Sequence, residues 1–307
     1  MTGRGITVVA TVAVFLAGCA RAGGGLPAGD AAHARAREAL ARYDRAVTDA
    51  GGRTRFVPVG ELTGQVGEWE AATGDNDKQA LYAGSLVTHV PLPAAPHPTG
   101  TVVWTGGASA DLPIISAHAA LDRMIRTGPG CSACTPLEVT GARLATAHVT
   151  TSRGEATAPA WEFTLDGTAV RATRIAVDES ATVTVTPPSW NPEHPPDGLQ
   201  IDAAATTAGS RWVTVTFTGA PRPGSQECGA DYSAEAVESD TAIVVLVATY
   251  RHAPDESCFA MGASRTATVE LARPLGDRAV LEERQGTPVP VTISRRPSPP
   301  AGSRPSW

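Results

Sequence analysis

Residues 243–250 read IVVLVATY, a short run that is apolar at almost every position. Its length and its β-branched residues fit a strand buried on both faces better than a helix. The neighbouring runs behave differently. RWVTVTFT (211–218) and TATVELA (266–272) alternate apolar and polar side chains, the two-residue period of a strand with one buried face. A fully covered strand among half-covered ones is the layout of two packed sheets, so residues 199–293 are expected to form a small β-sandwich-like C-terminal domain. The Cys…Trp…Cys spacing of immunoglobulin domains is missing, so the expectation concerns the architecture and not that family.

Upstream of this domain, TPPSWNPEHPPDG (186–198) carries five prolines. Proline fixes φ and stiffens the chain, so 187–198 is expected to be an extended linker. Before it, residues 30–186 mix both periods. DAAHARAREALARYDRAVTDA (30–50) places Leu40, Tyr43 and Val47 on one helical face, with Asp30 as N-cap and Gly51-Gly52 as the stop. That helix is expected to pack on the N-terminal domain. TVVW (101–104) and DLPII (111–115) suggest a hairpin, ISAHAALDRMIRT (115–127) a second helix, and 137–150, 157–165 and 168–177 three strands. Asp166-Gly167 joins the last two, a dipeptide that favours a tight hairpin turn. The expected fold class is therefore mainly β: an α+β N-terminal domain with one or two helices, then the sandwich-like domain.

Composition removes several chemistries. Lys78 is the only lysine, so neither a GxxxxGK[ST] phosphate loop nor an SxxK nucleophile is present. A net charge of −6 argues against nucleic acid as a partner, because that contact needs basic residues to displace counterions. With 31 glycines and 25 prolines but only 5% aromatic residues, the chain is turn-rich without being low in complexity.

The first residues read as an address. Arg4 is followed by an apolar stretch from Ile6 to Leu16, long enough for a signal peptide and too short to span a bilayer. Leu16-Ala17-Gly18-Cys19 resembles the lipobox of bacterial lipoproteins. That resemblance implies cleavage after residue 18 and diacylglycerol on the Cys19 sulfur, holding the protein at the extracytoplasmic face of the membrane. Residues 19–29 then form the lipidated cysteine and a flexible tether, and 294–307 (SRRPSPPAGSRPSW) a disordered tail.

Setting Cys19 aside leaves Cys131, Cys134, Cys228 and Cys258. An even number in an exported chain reads as two disulfides with three possible connectivities. Cys131–Cys134 with Cys228–Cys258 keeps each bond inside one domain and is the favoured pairing. A redox role for Cys131-Ser132-Ala133-Cys134 would want a helix straight after the motif; Pro136 and a strand-like run follow instead.

Other candidates are thinly supported. Histidines 33, 89, 97, 118, 148, 194 and 252 show no HxH, HxxxH or HExxH spacing, so no metal site is expected, and no cofactor motif is found. The string Gly107-Ala108-Ser109-Ala110-Asp111 departs from GxSxG and falls in the hairpin turn. Asp75-Asn76-Asp77 lacks the glycine and the further acid of a calcium loop and reads as a surface turn. Glu68, Glu70 and Glu162 flank Trp69 and Trp161, and strand alternation sends these glutamates to the solvated face. Trp190 in the linker is expected to fold onto a domain face.

The segments FVPVGELTGQVGEWE, CSACTPLEVTGARL, TSRGEATAPAWEFTLDGT and SRTATVELARPLGDRAVLEERQGTPV give the chain a general likeness, over about residues 56–290, to the uncharacterised secreted lipoproteins of actinobacteria. The resemblance implies a lipid-anchored envelope protein and supplies no activity. The expected protein is a monomeric binding or structural module whose partners are the membrane, through its anchor, and an envelope protein or wall polymer. Two rivals are an envelope hydrolase assembled from distant loops and thiol–disulfide exchange at Cys131/Cys134.

Overall fold

A computed structural model describes residues 29–52, 56–69, 74–191, 193 and 196–294. The signal segment, Cys19, Glu70, His194 and nearly all of the expected tail lie outside the described residues. Mainly β structure is observed, with several sheets and three α-helices among the described residues.

The first half runs α1 (Asp30–Asp49), β1 (Thr63–Val66), α2 (Gly74–Tyr82), β2 (Leu86–Thr88), β3 (Thr99–Trp104), β4 (Ser109–Pro113), α3 (Ala117–Thr127), β5 (Leu137–Thr151), β6 (Gly154–Leu165) and β7 (Arg171–Ile175). Strands β1–β7 form one sheet built around β6, which pairs along its length with β5 and on its other edge with β3 and then β7. The two faces of β6 are buried in turn. Ala156, Ala158 and Ala160 face a core with Phe56, Val102 and Leu112. Trp161, Phe163 and Leu165 face the opposite core, with Leu121 and Met124 of α3. The β3–β4 and β6–β7 hairpins fall where the sequence placed them. Helix α3 is capped by Ser116, whose Oγ accepts the Ala119 N–H at 3.2 Å.

The second half runs β8 (Ile201–Thr207), β9 (Trp212–Gly219), β10 (Ala230–Glu238), β11 (Ala242–Arg251), β12 (Ala263–Glu270), β13 (Ala279–Leu281) and β14 (Val291–Ser294). Two sheets, ordered β12-β9-β8-β14 and β10-β11-β13, pack face to face. The central position of β11 explains its apolar run. Ile243, Val245 and Val247 enter the sandwich core beside Val213, Val215 and Phe217, while Ala242, Val244 and Leu246 face outward into a second apolar layer.

That second layer corrects the expected place of α1. The helix packs on the outer face of β11, not on the N-terminal sheet: Ala36, Ala39, Leu40 and Tyr43 share a core with Ala242, Val244, Leu246, Ala279 and Leu281. A sheet face carrying such residues must be covered, and α1 brings the matching stripe. Polar contacts hold it in register. Arg35 pairs with Glu283 at 2.8 Å, and Asp44 accepts from Thr241. Gly286 completes the fit, because a Cβ there would stand 2.6 Å from that of Ala39. Asp30 is the first helical residue and Gly29 the N-cap, so Asp30 serves the positive end of the helix dipole from the first turn.

Between the halves, Val57 and Val183 join the core beneath α1, and Arg153 pairs with Asp277 at 2.7 Å. The described part of 184–198 has no regular secondary structure, and Trp190 stays partly exposed.

Candidate functional site

The four cysteines form the favoured bonds, Cys131–Cys134 and Cys228–Cys258. Cys131–Cys134 lies in the loop between α3 and β5, and no helix follows Cys134. Asn76 fastens this loop, with Oδ1 accepting the Thr135 N–H at 3.0 Å and Nδ2 donating to the Thr135 carbonyl at 3.3 Å. Here the expected surface turn at 75–77 proves to be part of helix α2, whose Asn76 is an anchor; the Asp75 side chain lies outside the described residues.

Cys228–Cys258 joins the two loops at one end of the sandwich, 220–229 between β9 and β10 and 252–262 between β11 and β12. The first loop is tightly folded on itself. Gln226 N–H donates to the Pro223 carbonyl at 3.0 Å, Gly229 N–H to Gln226 at 2.9 Å and Ala230 N–H to Arg222 at 3.0 Å. At Gly229 a Cβ would collide with the Pro223 carbonyl oxygen at 1.8 Å, so only glycine fits. The second loop is held from outside. Glu256 Oε2 accepts the Cys228 N–H at 2.9 Å, and Glu256 Oε1 lies 2.5 Å from His252 Nδ1. The hydrogen bond with His252, then that from Cys228 N–H, hold the Glu256 carboxyl below its ordinary value.

These loops border a cavity of about 650 Å³ whose lining includes Tyr232, Arg222, Arg251 and the disulfide. At its rim Phe259 is 91% exposed and Met261 65% exposed. Tyr232 forms part of the floor, edge-on to Phe217 with ring centroids 4.9 Å apart, and its hydroxyl accepts the Ala220 N–H at 2.6 Å. Phe259 and Met261 thus stand two residues apart, both open to solvent, on a loop fastened by the disulfide.

Cys228, Cys258 and Glu256 also bring ligand-type atoms within 4.8 Å of one another, but both sulfurs are bonded to each other and no thiolate is free to bind a cation. The His252–Glu256 pair is the acid–base pair beside this cavity. Both Glu256 oxygens are engaged, and no hydroxyl of a described residue is hydrogen-bonded to His252. The pair closes the loop, tying His252 and Glu256 to the Cys228 backbone.

The remaining sequence candidates do not converge here. His33 pairs with Glu235 at 3.1 Å and His118 with Asp122 at 3.1 Å, while His89, His97 and His148 are exposed. Ser109 is exposed at the start of β4, and Glu68 is exposed beside Trp69. Glu162 requires a correction: it is 8% exposed, not solvated, and accepts from Arg143 of β5 at 2.5 Å with Arg171 of β7 at 3.8 Å. Long arginine side chains from both neighbouring strands fold over it. Sequence reasoning overlooked Phe259 and Met261; two large apolar residues in a polar loop beside Cys258 were the available cue.

Losing the Cys228–Cys258 bond should release the loops. The bond spans a separation of 30 residues, which the chain-entropy model values at about 3–4 kcal/mol. Cys228→Ala is expected to lower the thermal midpoint of the C-terminal strands, read by circular dichroism under oxidising conditions; an unchanged midpoint would show that the bond contributes nothing.

No protein-family model matches the chain, and no curated protein or solved structure matches it either.

Proposed function

We propose that this is an exported protein of the cell envelope, held at the outer face of the membrane by diacylglycerol on Cys19, whose folded part is a binding module. The two disulfides support an oxidising compartment. The observation that carries the binding role is the stapled loop pair at the sandwich end, which presents Phe259 and Met261 beside an open cavity.

The chemistry of that surface favours another envelope protein over a wall polymer. A thioether and a phenyl ring both gain by burial against apolar side chains, whereas a wall sugar would stack on the phenyl ring and leave the thioether largely in water. Arg222 and Arg251 in the same lining supply a polar surround, the arrangement of an apolar centre and charged rim found in protein interfaces.

The experiment has two arms. Cys19→Ser should shift the protein from the membrane fraction to the soluble exported fraction; continued co-sedimentation with membranes would contradict the anchor. In the second arm, wild-type protein and a Phe259→Ser/Met261→Ser variant are cross-linked in intact cells and also incubated with purified cell wall. Loss of a specific cross-linked protein in the variant, with wall retention unchanged, is the expected result. An unchanged cross-linking pattern, or a loss confined to wall retention, would overturn the assignment of this surface to a protein partner.

For the hydrolase reading the acid–base pair beside the cavity is His252–Glu256, and both carboxylate oxygens of that pair are already committed to the loop. Thiol–disulfide exchange draws on Cys131–Cys134, which lacks the following helix that would stabilise an attacking thiolate.

A further inference from the structure

We propose that the cavity between α1, α3 and β7 is a binding site for an oxyanion of the phosphate class, distinct from the loop surface above. The cavity, about 670 Å³, falls within the size range of small-molecule sites. Arg42 and Arg45 come to its wall from α1, Arg123 from α3 and Arg174 from β7, against the carboxylates of Asp49 and Glu179. With Asp178, which pairs with Arg123 from just outside the lining, four cations stand against three anions, a local positive excess in a chain whose net charge is −6.

The local pairing does not remove that excess. Arg123 is satisfied, with Asp178 at 3.5 Å and Glu179 at 3.0 Å. Among the described residues, Arg42, Arg45 and Arg174 form no ion pair. Arg174 donates to the Thr63 hydroxyl at 3.2 Å and Arg42 to the Gln285 carbonyl at 3.2 Å, both neutral acceptors. Burial, and then the charge of Arg123, hold Arg174 below its ordinary value despite the pull of Glu179 and Glu61. An anion in the cavity would offset both effects.

A phosphate group suits three arginines that lack an ion pair better than a carboxylate does. A phosphate ester carries about −1.5 to −2 charges at neutral pH and presents three strong acceptor oxygens, whereas a carboxylate supplies one charge. Guanidinium groups match phosphate oxygens in pairs of parallel hydrogen bonds.

The test is titration calorimetry on the full chain in detergent, using sodium phosphate, glycerol 3-phosphate, sodium acetate and phosphatidylglycerol in mixed micelles of the same detergent as separate probes. Saturable binding of phosphate or glycerol phosphate, weaker with acetate, is the expected result; saturation by phosphatidylglycerol alone would assign the same chemistry to a lipid headgroup. Arg174→Gln should weaken the binding by about tenfold or more, equivalent to about 1.4 kcal/mol. Arg45→Gln, at an exposed position less able to disturb folding, should weaken it in the same direction, and Arg126→Gln on the outer side of α3 should not. No saturable binding by any phosphate probe, acetate binding as tightly as phosphate, or unchanged affinity in both cavity variants would overturn the proposal.

Discussion

Trp161→Ala should cost about 3–5 kcal/mol of unfolding free energy, the range for deleting a large aromatic side chain from a core. Trp161 is 1% exposed and packs in the core that joins the central sheet to α3. Its Nε1–H donates to the Ile115 carbonyl at 2.8 Å, on the segment that leads into the Ser116 cap of α3. Truncation therefore opens a cavity and also strips the acceptor at Ile115 of its partner, and the two losses fall on the same helix. Trp161→Phe should recover most of the packing but not the hydrogen bond, placing it between wild type and Trp161→Ala. Urea unfolding followed by circular dichroism measures all three. A loss below about 1 kcal/mol for Trp161→Ala would mean that this side chain is not the centre of its core.

Arg278→Ala should be comparably damaging, at about 3–5 kcal/mol, because it leaves a charged partner behind. Arg278 is 4% exposed, lies 2.5 Å from Glu238 Oε2, and donates to the carbonyls of Leu275, Arg273 and Pro274. It fastens the chain between β12 and β13 to the end of β10. Burial works against the charge of Glu238, but the hydrogen bonds from Arg278 and the Ala272 N–H, with the charges of Arg278 and Arg273, outweigh it and hold the carboxyl below its ordinary 4.5. A carboxylate depressed in the folded state adds stability above its unfolded value, and that stability is lost as pH falls through the folded value. Wild-type protein should accordingly lose stability below about pH 4.5, and Arg278→Ala should lose less over the same interval. An equal slope in both proteins would show that the pair does not govern this part of the acid response.

The sandwich was largely legible because β11, β9 and β12 carry their burial in their own alternation. IVVLVATY announces that both faces of β11 are covered, and RWVTVTFT announces one. The cover on the outer face of β11 was not legible. Leu40 and Tyr43 show that α1 has a buried stripe, yet a stripe does not say which sheet it meets, and the partner strand lies near the other end of the chain. Register imposed the same limit at Glu162. Alternation correctly turns it away from Trp161, but the arginines that bury it come from β5 and β7, and only strand pairing brings them across. The disulfides were legible because each bond joins cysteines inside one expected domain. The arginine cavity was not, since α1, α3 and β7 each contribute to a site that no local motif encodes.

The measurement that bears most directly on a lipid-anchored envelope protein is mass spectrometry of the N-terminal peptide from protein recovered with membranes. The expected peptide begins at Cys19 and carries the added mass of a diacylglyceryl group on that sulfur. Membrane-recovered protein that retains residues 1–18, or that begins elsewhere with Cys19 unmodified, would contradict the anchor and the address read from Leu16-Ala17-Gly18-Cys19.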